Sequence, residues 1–149
     1  MIAAVLDTNI LASGTISAST PPGQILNAWR DGQFELVTSQ HILNEIERTL
    51  QKPYFQSHVT KGDVTSFMDL LKNETTITLI TVDIQGVTTH PEDDLTLATA
   101  VSAKADYLVT GDGPLLRKVG SSYQDVTLVT PNDFLMVLQK ELNSYKSYP

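Results

Sequence analysis

The sequence predicts an α/β protein built around a mostly parallel sheet of about five short strands. Short apolar or β-branched runs alternate with segments of helical periodicity along the 149 residues. With strands and helices alternating, the connections are right-handed βαβ crossovers. No internal repeat, low-complexity block or linker interrupts the pattern, so residues 1–149 read as one domain. In sheets of this kind ligands bind beyond the carboxyl ends of the strands, where strand order reverses. Residues that directly follow a strand are therefore the first place to look for chemistry.

The elements follow in order. "IAAVL" (2–6) reads as a strand buried on both faces, and Asp7 closes it. "ASGTISASTPPG" (12–23) is small, polar and Pro-terminated, a loop leading into a helix. In that helix Ile25, Leu26 and Trp29 share a face, with Pro22 in the early turn. "FELVTS" (34–39) is a strand whose end supplies an N-cap, Thr38 or Ser39. "QHILNEIERTLQK" then sets Ile42, Leu43, Ile46 and Leu50 on one stripe, and Pro53 helps stop it. A further helix runs through "DVTSFMDLLKN", capped by Asp63, with Val64, Phe67, Met68 and Leu71 inward. "TITLITV" (76–82) is rich in β-branched residues and reads as a strand. A helix at 93–105, a strand at 106–110, a helical turn at 113–119 and a strand at 126–130 follow. The last helix starts at Thr130 as cap with Pro131 in its first position.

Composition narrows the function. Apolar content of 41% suits a folded core rather than disorder. No apolar run reaches the roughly 18 residues of a membrane span, and the short N-terminal run lacks the basic flank of a signal peptide. The absence of Cys removes disulfides and thiolate metal sites and fits a cytoplasmic protein. Net charge is −7, with ten Lys and Arg against seventeen Asp and Glu. That argues against a nucleic-acid coat protein, which needs cations for phosphates. It leaves room for an enzyme whose acids surround a metal ion.

The acids themselves are patterned. Asp7 and Asp112 each follow a strand and belong at the same sheet edge. In "PEDDLTLATA", Asp94 shares a helical face with Leu97, Ala98 and Val101, the residues expected to pack on the sheet. Asp93 points about 100° away. A carboxylate in the first slot of a buried stripe must be paired, protonated or bound to a cation. Asp and Glu also favour the first turn of any helix, so Glu92, Asp93 and Asp94 taken alone decide nothing. Glu45 and Glu47 lie on opposite flanks of their helix's apolar stripe, and periodicity does not choose between them. The three histidines (His41, His58 and His90) lack zinc spacing and read as surface or packing residues. No nucleophile elbow or phosphate-binding loop is present.

Together these residues resemble a known family. "VLDTNILASG" is similar to the opening motif of PIN-domain proteins, and "TSQHILNEIERTL" to the second, with its glutamate falling on Glu45. "DDLTLATAVSAKADYLVTGDGPLL" resembles the third and fourth motifs run together, with Asp94, Thr110 and Asp112 at the matching positions. "TPNDFLMVL" resembles the closing segment of a bacterial subgroup described as toxin components of toxin–antitoxin systems. The resemblance implies a three-layer α/β/α sandwich on a five-stranded parallel sheet. It also implies a metal-dependent ribonuclease, like VapC-like toxins, with Asp7, Glu45, Asp94 and Asp112 as the acidic set and Asp93 as an extra. Such toxins dimerise and are held inactive by a small antitoxin.

Carboxylate oxygens suit a hard cation, Mg²⁺ or Mn²⁺. Asp7, Asp94 and Asp112 are assigned to the metal, and Glu45 as ligand or base. Thr8, Asn9 and Thr110 would hold the carboxylates in place, although Asn9 also suits an Asx-turn. The expected reaction is hydrolysis of an RNA phosphodiester, with one ion or two roughly 4 Å apart. Even without the four acids the chain stays acidic, which favours as the alternative a catalytically weak or inactive RNA- or protein-binding module on the same fold. A phosphoacceptor domain of the receiver type is a third reading. Its nearest acceptor would be Asp83, but no Lys directly follows "VTLVT".

Overall fold

The computed structural model describes residues 1–146. Six strands form: β1 (Ala3–Leu6), β2 (Glu35–Thr38), β3 (Thr76–Ile77), β4 (Tyr107–Val109), β5 (Ser122–Tyr123) and β6 (Val126–Val129). They make one sheet in the order β3-β2-β1-β4-β6-β5. All neighbours are parallel except β5, which runs antiparallel to β6. In the centre Val5 stands level with Val37 on one side and Leu108 on the other. All three are buried, as a parallel strand covered on both faces requires.

The chain leaves β1 on one side, through β2 and β3, then returns to the other side at β4. The order therefore reverses between β1 and β4. Asp7 follows the first of these strands and Asp112 lies three residues past the second.

The helices are α1 (Thr8–Gly14), α2 (Pro21–Arg30), α3 (Gln40–Leu50), α4 (Pro53–Gln56), α5 (Lys61–Glu74), α6 (Pro91–Ser102), α7 (Gly113–Val119) and α8 (Pro131–Lys146). With the usual right-handed crossovers, this strand order puts α1 to α5 on one face and α6 and α7 on the other. Packing agrees: α1 touches α2 and α3, α3 touches α5, and α2 touches α8, while α6 lies across β1, β2 and β4. The amphipathic stripes face inward as expected. Ile42, Leu43, Ile46 and Leu50 are all buried in α3, and Phe67, Met68 and Leu71 in α5. Phe34, entering β2, meets Phe134 of α8 edge-on with centroids 5.1 Å apart.

The expected sheet of five strands becomes six. β5 forms because Gln124 and Asp125 both take positive φ (44° and 68°), the backbone of a two-residue hairpin turn. The strand expected at 76–82 shortens to Thr76–Ile77, with Leu79 exposed. β-Branched residues fit a strand only where a face is buried, and these lie at an edge. α1 is an additional helix, made possible because the Asp7 side chain accepts the Ile10 N–H and caps it. The cap of α5 is Thr60, which accepts the Asp63 N–H, rather than Asp63 itself.

Candidate active site at the carboxyl edge of the sheet

Asp7 stands where strand order reverses. Its N–H donates to the Val109 carbonyl at 3.1 Å, so the end of β1 is pinned to the end of β4. Oδ1 accepts the Ile10 N–H at 2.9 Å. Burial pushes the Asp7 carboxyl up to about 6. Hydrogen bonds from the Thr110 side chain and the Ile10 backbone oppose the shift, and repulsion from Asp93 and Asp112 adds to it.

Thr110 is fully buried and bridges two acids. Besides its bond to Asp7, its Oγ1 accepts the Asp112 N–H at 3.1 Å. Asp112 in turn caps α7, Oδ1 accepting from Leu115 N at 3.2 Å. The Thr110 hydroxyl thus holds the Asp112 backbone and acts on the Asp7 carboxyl.

Glu45 reaches the same region from α3. Of the pair that periodicity leaves open, Glu45 is half-buried and Glu47 exposed. Glu45 Oε2 is buried without a hydrogen bond, and its near neighbour is His41 Nε2 at 3.5 Å. The same His41 nitrogen donates to the Glu92 carbonyl at 3.2 Å. Ser39, the cap of α3, bonds Thr99 of α6 at 2.8 Å in the interior. These contacts lock the helix carrying Glu45 to the helix carrying Asp93 and Asp94. Sequence reading gave His41 no such role, because its partner is a main-chain carbonyl 51 positions away.

The adjacent aspartates of α6 have different surroundings. Asp94 is buried, 5% exposed, as helical phase predicts. Both its oxygens accept backbone amides: Oδ2 from Gly86 at 3.0 Å and Oδ1 from Thr88 at 2.7 Å. Burial acts to raise its pKa, but bonds from Thr88, Gly86 and Val87 outweigh it and hold the carboxyl below its ordinary value. Asp93 is half-buried and is pushed up by burial, then by Asp112; His90 opposes this, and Glu45 and Glu92 add to it. The acids that interact across the sheet edge are therefore Asp7, Glu45, Asp93 and Asp112. Thr8 is buried with an unpaired hydroxyl. Asn9 is exposed and makes no side-chain hydrogen bond among the described residues.

The chemistry of this set suits a hard divalent cation. Four carboxylates share one edge, two of them are pushed upward, and a buried Glu45 oxygen lacks a donor. As the side chains stand, no three of the described His, Asp or Glu groups converge closely enough to ligate one ion. A cavity of about 690 Å³ lies at the opposite end of the sheet, lined by Met1, Asp106, Tyr107, Asp125 and Lys140, and holds none of these acids.

The family described as PIN domain matches residues 3–113, a span that runs from β1 through Asp112. The chain belongs to the PIN-domain family. This PIN domain also shares its fold with a solved structure described as VapBC2 from Rickettsia felis bound to a DNA fragment from their promoter. The two are 15% identical, with a TM-score of 0.59 over 87% of this chain and 98% of that one. No curated protein matches the chain. No helix among the described residues is long and apolar enough to cross a membrane.

Proposed function

We propose that this PIN domain is a metal-dependent endoribonuclease and the toxin of a toxin–antitoxin pair. The observation that supports it is that four acids from four separate elements lie along the edge where strand order reverses, with Asp7, Glu45 and Asp112 each interacting electrostatically with Asp93. In this reading Asp7, Glu45, Asp93 and Asp112 hold Mg²⁺ or Mn²⁺, directly or through water. Asp94, expected among the ligands, is given a supporting role in this reading, since each of its oxygens already accepts a backbone amide. It holds the segment before α6 and so presents Asp93.

A cation bound there supplies Lewis acidity, lowering the pKa of water and offsetting charge on the phosphodiester oxygens. The protein's part is positional. Thr110, which accepts the Asp112 N–H and favours the ionised Asp7 carboxyl, would support both. Glu45 would accept a proton from the attacking water in this reading. The partner reading draws on VapBC2, whose fold this chain shares. An antitoxin segment would enter the acidic edge with its own cations, and the active form would be a homodimer in the cytoplasm.

The test is cleavage of mixed single-stranded RNA with Mn²⁺, then with EDTA. Chelation and Asp93→Asn should each abolish cleavage, while Asp94→Asn should leave part of it. Cleavage that survives EDTA sinks the metal mechanism. The net charge of −7 supports the alternative of an inactive binding module. RNA left intact at stoichiometric protein, with Mn²⁺ bound, is the result that favours it.

A further inference from the structure

The irregular segment before α6 is strapped from two sides. From α6, Asp94 accepts the Gly86 and Thr88 amides. From α7, Lys118 Nζ donates to the Thr88 carbonyl at 3.0 Å. Thr88 is 4% exposed, and its hydroxyl donates to the His90 carbonyl at 2.7 Å, closing the turn into α6. One buried residue therefore joins the helix that begins with Asp93 in its first turn to the helix capped by Asp112.

We propose that Lys118, acting through Thr88 and Asp94, is a positioning residue that sets the separation of the Asp93 and Asp112 carboxylates. The proposal rests on the metal-binding reading of those acids. Repulsion between the two carboxylates works to part the starts of α6 and α7. No ion pair to Asp93 or Asp112 forms among the described residues to oppose it; the sole one is His41 with Glu45. The strap supplies the opposing tie. A lysine in the last turn of a helix ordinarily serves the helix dipole, yet this amine reaches a carbonyl 30 residues away in sequence. A charged donor makes a stronger bond to that carbonyl than a neutral one would.

The experiment measures Mn²⁺ binding by water-proton relaxation for the wild-type chain and for Lys118→Met, Lys118→Arg and Asp93→Asn. Circular dichroism confirms that each is folded. Alongside, the ¹³C resonances of the Asp93 and Asp112 carboxyls are recorded in metal-free wild type and Lys118→Met. The expected result is loss of binding in Asp93→Asn and weakening by about tenfold in Lys118→Met. Lys118→Arg should recover most of it, and both carboxyl resonances should move in the metal-free Lys118→Met protein. Wild-type affinity or unmoved resonances in Lys118→Met overturn the positioning role and leave the metal site standing. Failure of the wild-type chain to take up Mn²⁺ overturns both.

Discussion

The two ends of the sheet both carry acids, but only one end leaves them in conflict. At the amino end, Asp106 precedes β4 and its Oδ2 accepts the Ala3 N–H at 2.9 Å, tying β1 to β4. Asp125 sits in the β5–β6 turn with φ 68°. Each has a local structural task of the kind Asp performs in many folds. At the carboxyl end, Asp7 and Asp93 repel Asp112 and one another, and their carboxyls are held above their ordinary value. Acids kept against repulsion and burial cluster at functional sites.

Substitutions sharpen that contrast. The largest difference is expected in cleavage. Glu45→Gln should lower the rate by about a hundredfold or more, the upper range for groups that support a metal site. Asp106→Asn, at the other end, should leave it unchanged. Equal losses in the two variants would erase the distinction between the ends.

Stability should move in the opposite sense at Asp7. Its carboxyl titrates near 6 in the fold against 3.8 in the open chain, so the folded state holds its proton to higher pH. The penalty for ionising it is absent below pH 3.8, grows as pH rises and is complete above about 6. Asp7→Asn removes that penalty and retains an oxygen for the Ile10 amide. The metal-free variant should therefore be more stable than wild type at pH 7.5, by at most roughly 3 kcal/mol. On the order of 5 °C in melting temperature is expected, vanishing below pH 4. A wild-type chain that melts higher at neutral pH without metal would contradict this.

Asp94→Ala should destabilise instead, by about 1–3 kcal/mol, because it leaves the Gly86 and Thr88 amides without their acceptor. A smaller loss, about 1 kcal/mol, is expected of Asp106→Ala, whose bond to Ala3 is exposed. Denaturant melts would rank the two.

These contrasts also explain what the sequence makes legible. Helices with strong stripes, such as α3, announce themselves because burial and periodicity coincide. The strand at 76–82 misleads because beyond Ile77 the β-branched residues pack only partly against the core, Ile80 and Val82 among them, and find no strand partner among the described residues. β5 rests on a turn whose residues, Gln124 and Asp125, lack the usual hairpin signature. At the site, helical phase correctly places Asp94 inside the molecule, yet burial does not distinguish a metal ligand from an acceptor of backbone amides. The amides that Asp94 accepts come from 86–88, a segment that no periodicity describes. Glu45 separates from Glu47 only when α6 is packed beside α3.

The short outer strands have a consequence of another kind. β3 and β5, at the two margins of the sheet, are two residues each. A passing chain that tried to extend the ladder would find only two rungs on either side. Long, flat margins are where sheets recruit neighbours into aggregates, and here the exposed Ile77 and Leu79 lie beside a margin too short to hold one. Two-residue margins leave an incoming strand little ladder to extend, independently of the charge gathered at the carboxyl edge.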